Sequence, residues 1–225
     1  LFRSIQDGGS DWRTIKVLDV ATGEEMSDEI RWAKFTGISW LGDEGFFYSR
    51  FPETEEGQDF QSLNYNQKVY FHRLGTPQSE DELVYETPQF KEQGHGLGVT
   101  DDGRWAFVSS STGTDNRNEL RVIDLENRAD GSWQTRDIVT GFENEWSPIA
   151  STGDTVYFMT NKDAPRYRIV PIMSAVVMAS AGLSLMREFS LWQESYELVG
   201  TMYRPLAENS SFTNAFRYGN WTITA

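Results

Sequence analysis

The chain has 225 residues, 38% hydrophobic and 14% aromatic, enough for a sizeable core and too rich in Trp, Tyr and Phe for a disordered polypeptide. Lys plus Arg number 20 against 34 Asp plus Glu, a formal charge of −14 that repels phosphate backbones and anionic headgroups, so neither nucleic acid nor membrane is expected as a partner. With no Cys, disulfide frameworks, thiolate metal sites and Cys nucleophiles are excluded, while the compartment stays open between cytoplasm and periplasm. The sequence starts at Leu1, and Leu1 to Asp11 lacks the basic start and apolar run of a signal peptide, so it reads as a fragment.

In chain order, β-like runs alternate with turn signals. Thr14 to Val20 precedes Ala-Thr-Gly, Gly45 to Phe51 precedes Pro52, and Lys68 to Leu74 precedes Gly75. Arg104 to Ser110, Glu119 to Leu125 and Thr155 to Thr160 follow in the same style. They are rich in β-branched and aromatic residues and bounded by Gly, Asp, Asn and Pro, which predicts strands. No stretch before residue 170 keeps a long apolar pattern at i, i+3, i+4, i+7, so the predicted class is all-β.

The strands repeat. A turn leading into an aromatic strand occurs at Leu41 to Tyr48, Thr100 to Phe107 and Ser151 to Phe158. A strand running into a turn recurs around Leu18-Asp19, Phe71-His72, Ile123-Asp124 and Arg168-Ile169, steps of roughly 50 residues that suit a propeller blade. One twisted four-stranded sheet leaves a face unburied, so successive blades stack and bury it mutually. About three antiparallel four-stranded blades are therefore expected over 1–170, too few to close a ring.

Near Val170 the composition changes. Val170 to Met186 is an apolar run just short of a bilayer span, and 171–225 holds three Arg and four Glu with no Asp or Lys. We place a domain boundary there and read 171–225 as an unrecognised tail, divergent or out of frame.

The only imidazoles are His72 and His95. His72 sits mid-strand, the setting of a hydrogen-bonded structural histidine rather than a base. His95 lies in Gly94-His-Gly-Leu-Gly98, which resembles a phosphate loop but lacks the helix that would follow one, so its glycines suit a close-packed inner strand or bulge. The acidic stretch Glu53 to Asp59 lacks EF-hand spacing and reads as a solvated loop. No cofactor and no metal site is expected.

A more specific pattern runs through Gly9-Ser-Asp-Trp12, Ala33-Lys-Phe35 with Ile38-Ser-Trp40, Gly45 to Pro52, Asn66 to Thr76, Ser79-Glu-Asp81, Asp101 to Trp105 and Ala164 to Arg168. In order and spacing these segments resemble the propeller domain of the prolyl oligopeptidases, serine peptidases that cleave short peptides after proline. The resemblance covers about residues 5 to 170. It implies part of a seven-bladed propeller that caps an α/β-hydrolase peptidase domain and admits short proline-containing peptides. The Ser, Asp and His of the family's triad belong to that other domain. This sequence has no Gly-x-Ser-x-Gly elbow, so no catalytic residue is assigned and whether the chain counts as an enzyme stays open.

The resemblance also implies roles for three residues. Phe35 matches a propeller phenylalanine that meets the substrate residue two before the proline; on pattern alone it would be a blade core residue. Thr114 falls, by a looser match, in a loop lining the same subsite, where a plain turn residue is the alternative. Asp11 matches an aspartate that reaches an arginine of the peptidase domain, and is equally a turn-former after Gly8-Gly-Ser10. Trp12 beside it reads as packing. Two other functions compete: a free-standing propeller-like interaction module, and a remnant with no activity. An oligopeptidase B-like propeller shares the strand ending His72 to Thr76, though Gly9 to Trp12 and Gly45 to Pro52 fit prolyl oligopeptidase better.

Overall fold

The structure, a computed structural model, describes residues 2–6, 11–53, 64–128, 131–152 and 155–173. Most of the tail, and the acidic segment beyond Glu53, therefore lie outside the described residues. Fourteen strands and one 3₁₀ turn, Gln78–Glu80, account for the named elements, with no α-helix among the described residues. All strand pairs are antiparallel.

Strands β1 (Phe2–Gln6), β2 (Arg13–Leu18) and β3 (Glu25–Ala33) form a meander. Next come β4 (Ser39–Leu41), β5 (Gly45–Arg50), β6 (Lys68–Arg73) and β7 (Glu82–Tyr85), paired in chain order. The two groups merge into one seven-stranded sheet through a single register pair, Ala33 with Arg50. A second sheet holds β8 (Gln93–Val99), β9 (Trp105–Thr112), β10 (Asn118–Asp124) and β11 (Arg136–Val139). A third holds β12 (Trp146–Thr152), β13 (Thr155–Thr160) and β14 (Arg168–Met173), the last crossing the composition boundary near Val170.

The repeats of the sequence now have a structural address. The turn-then-aromatic units are the β4–β5, β8–β9 and β12–β13 turns, so β5, β9 and β13 are second strands. The units ending near Leu18, His72 and Asp124 are the ends of β2, β6 and β10, whereas the fourth, at Arg168-Ile169, is the start of β14 and follows a turn instead of leading into one. Two complete four-stranded blades are thus flanked by a three-stranded portion on each side.

Alternation decides how they stack. In β5, Phe46 and Tyr48 point into a cluster with Ile15, Val17, Ile30 and Ala33, while Phe47 points the other way. Phe47 joins Val69, Phe71, Ala106, Val108 and Ile123 between the second and third blades. In β9, Ala106 and Val108 serve that layer, and Trp105 and Phe107 serve the next, with Leu120, Val122, Trp146, Val156 and Phe158. A central strand buried on both faces shows no amphipathic alternation, which is why Gly45 to Ser49 reads as continuously buried. Each such side chain contributes about 1.5–3 kcal/mol of burial, so three shared layers rather than any one sheet hold the blades together.

Candidate functional site

Strand register brings several loops to one rim of the sheets. Arg13 at the start of β2 lies opposite Ala33 at the end of β3, and Arg50 at the end of β5 opposite Lys68 at the start of β6. Gln93 at the start of β8 faces Thr112 at the end of β9. Asp11, Phe35 and Thr114 all sit just beyond these strand ends.

Phe35 is not a core residue. The residue is 61% exposed, and its backbone lies in the left-handed region at φ 52°, unfavourable for an aromatic. The surrounding chain holds it there. Buried Gln67 donates from Nε2 to the carbonyls of Lys34 (3.0 Å) and Phe35 (3.4 Å), and its Oε1 accepts the His95 amide at 2.7 Å. Thr36 Oγ1 accepts the Ser49 amide at 2.7 Å and donates to the Gly37 carbonyl at 2.8 Å. The result is an exposed aromatic on a loop anchored from beneath by buried side chains.

Lys34 ties the neighbouring residues together. Its ammonium lies 5.1 Å from the centroid of Trp12 and 5.1 Å from that of Phe35, and 3.8 Å from Asp11 Oδ2. Trp12 packs edge-on against Trp32 at 5.6 Å and Phe51 at 6.0 Å, in keeping with a packing role. The Asp11 carboxylate itself is largely exposed, with Lys34 as its ion-pair partner. Thr114 is exposed in the turn after β9, beside the Asp115–Arg117 ion pair. Asp11 and Phe35 thus share a cluster, whereas Thr114 shares only the rim.

Neither histidine is at the rim surface. His95 is buried, with Nε2 3.0 Å from Thr87 Oγ1 and Nδ1 2.9 Å from Ser110 Oγ. Burial, then the nearby charge of Arg121, pulls its pKa down to about 4. Of the glycines around it, only Gly94 is closely approached, since a Cβ there would lie 3.1 Å from Gln67 Oε1, whereas Gly96 and Gly98 face open space. The close-packing expectation therefore holds for one glycine of three. No cluster of His, Asp and Glu able to hold a metal occurs among the described residues.

Residues 3–176 match the family model described as prolyl oligopeptidase, N-terminal beta-propeller domain. The chain belongs to the prolyl oligopeptidase family. It is 44% identical over 167 residues to the prolyl endopeptidase of Elizabethkingia meningoseptica, covering 74% of this chain and 23% of that protein. A solved prolyl endopeptidase superposes with TM-score 0.68 at 40% identity, covering 76% of this chain and 24% of the other. Prolyl oligopeptidase B from Galerina marginata, bound to a 35mer hydrolysis and macrocyclization substrate, superposes with TM-score 0.68 at 28% identity, covering 77% and 26%. Oligopeptidase B from Leishmania major, at 16% identity and TM-score 0.60 over 79% and 23%, shares the fold alone. The chain spans about a quarter of the length of these relatives, all within the propeller, and the match does not reach their catalytic domain.

Sequence reasoning missed Gln67 and Lys34 as organisers of the rim. Gln67 stood inside the family-like segment Asn66 to Thr76, but its partners lie 28 and more residues away.

Proposed function

We propose that this chain is part of the substrate-gating propeller of a peptidase that cleaves short peptides after proline. In this reading the rim bearing Phe35 faces an α/β-hydrolase domain. The observation that carries it is Phe35: an aromatic ring held exposed in a strained backbone by buried Gln67 is built to meet an apolar side chain. Asp11 beside it offers a carboxylate for a guanidinium of the peptidase domain, as does Thr114 a small polar lining farther along the rim.

The relatives named prolyl endopeptidase and prolyl oligopeptidase support this substrate class, as does the solved complex with a 35mer. The test is a chimera in which residues 3–173 replace the matching segment of the Elizabethkingia meningoseptica enzyme. It should hydrolyse a proline-containing reporter and spare a folded protein, while the 225-residue chain alone shows no turnover. A chimera that assembles yet digests folded protein would refute gating, and turnover by the chain alone would refute the placement of catalysis in another domain.

A further inference from the structure

The seam between β3 and β5 is thin in ladder hydrogen bonds, and a buried polar tie crosses it. His72 on β6 has Nδ1 2.6 Å from Asp81 Oδ1 and Nε2 3.0 Å from Asp28 Oδ1, all three side chains being essentially inaccessible. Asp28 comes from β3, so the contact spans the two groups of strands.

A neutral imidazole carries one N–H and can satisfy only one carboxylate. Both carboxylates already act as acceptors. Asp28 Oδ1 takes the Gly75 amide at 2.6 Å, and Asp81 Oδ2 takes the Tyr48 hydroxyl at 2.5 Å. Burial, then the Asp81 charge, raises the Tyr48 phenol, which keeps it a donor. Asp28 Oδ2 is buried without a hydrogen-bond partner, so this carboxylate depends on the imidazole for compensation. Removing a proton from His72 would leave one of the two buried carboxylates facing a lone pair.

We infer that Asp28, His72 and Asp81 form a proton-held latch, which adds to the apolar docking of β1–β3 on β4–β7 while the imidazole carries both its protons. The charged and titratable groups facing His72 are Asp28 from β3 and Asp81 from the turn before β7, with Tyr48 of β5 reaching it through Asp81. Gln78 reinforces the same seam, its amide exchanging two 3.0 Å hydrogen bonds with the Arg31 backbone. Burial alone lowers the His72 pKa, but its bonds to Asp81 and Asp28 and their charges outweigh that, and the net shift is upward. A raised folded pKa means that the latch stabilises fully below the unfolded value near 6.5, and is lost as pH rises through the folded value.

Two measurements on the full chain test this: the His72 imidazole titration by NMR, and amide hydrogen-exchange protection of residues 25–33 against pH, referenced to β9 and β10. We expect His72 to titrate above 6.5. We also expect protection of β3 to fall by up to about tenfold per pH unit between 6.5 and that midpoint and to level off above it, since one proton is linked. Asp81→Asn should move both midpoints to lower pH. A His72 that titrates at or below 6.5, a β3 protection that tracks β9 and β10 at every pH, or an unmoved midpoint in Asp81→Asn would overturn the latch. If that variant does not fold, the two wild-type curves decide.

Discussion

Phe35→Ala in the chimeric peptidase should separate recognition from stability. A Phe side chain buries roughly 200 Å² when fully covered. With 61% of the residue exposed, a substrate side chain can cover at most about 120 Å² of it. At about 25 cal/mol/Å² that is a ceiling near 3 kcal/mol, and half coverage gives about 1.5 kcal/mol, or roughly 10-fold in kcat/KM. The loss should fall on peptides with a bulky apolar residue two positions before proline, and spare those with glycine there. Folding should suffer little, because the ring gives up mainly its cation–π contact with Lys34, worth about 0.5–1 kcal/mol. Fully buried Phe47 is the control, and Phe47→Ala should cost about 3–5 kcal/mol. The assay is kcat/KM on the paired peptides with Tm alongside. Equal loss on both peptides, or a Tm drop matching Phe47→Ala, would refute the argument.

His95, with a pKa near 4 against about 6.5 unfolded, has the opposite pH sign to His72. Its contribution, up to about 3 kcal/mol, is complete above pH 6.5 and lost as pH falls toward 4; His95→Gln should flatten Tm against pH in that window, and an unchanged slope would count against a neutral buried imidazole. Gly45→Ala should cost more than about 3 kcal/mol, because the new Cβ would sit 2.0 Å from the His72 carbonyl oxygen; a soluble variant with wild-type Tm would contradict the β5–β6 spacing. Gln67→Ala strands the Lys34 carbonyl and the His95 amide at a buried site and should lower stability by about 2–3 kcal/mol, with faster amide exchange at 34–38; no change in either would remove Gln67 as the loop's anchor.

Strands with dense β-branched and aromatic text were legible without coordinates. The runs beginning at Thr14, Gly45, Lys68, Arg104, Glu119 and Thr155 correspond to β2, β5, β6, β9, β10 and β13 within one or two residues at most ends. Strand β3 was not legible. Glu25 to Ala33 carries four charged side chains and buries only Asp28, Ile30 and Ala33, and it is a strand because β2 offers it a ladder. Strands β4 and β7 are three and four residues long, too short for periodicity to register.

Local sequence alone determined the all-β class, the repeat of about 50 residues and the family-like segments, because alternation, turn residues and aromatic density are properties of neighbours in the chain. Pairing across blades belongs to the tertiary structure. Asp28 meets His72 across 44 residues, Gln67 meets Lys34 across 33, and a single register pair decides whether the first seven strands form one sheet or two. The exposure of Phe35 is of the same kind. An aromatic next to a strand ordinarily packs inward, and only the left-handed turn imposed by hydrogen bonds from distant strands sends this one out to the rim.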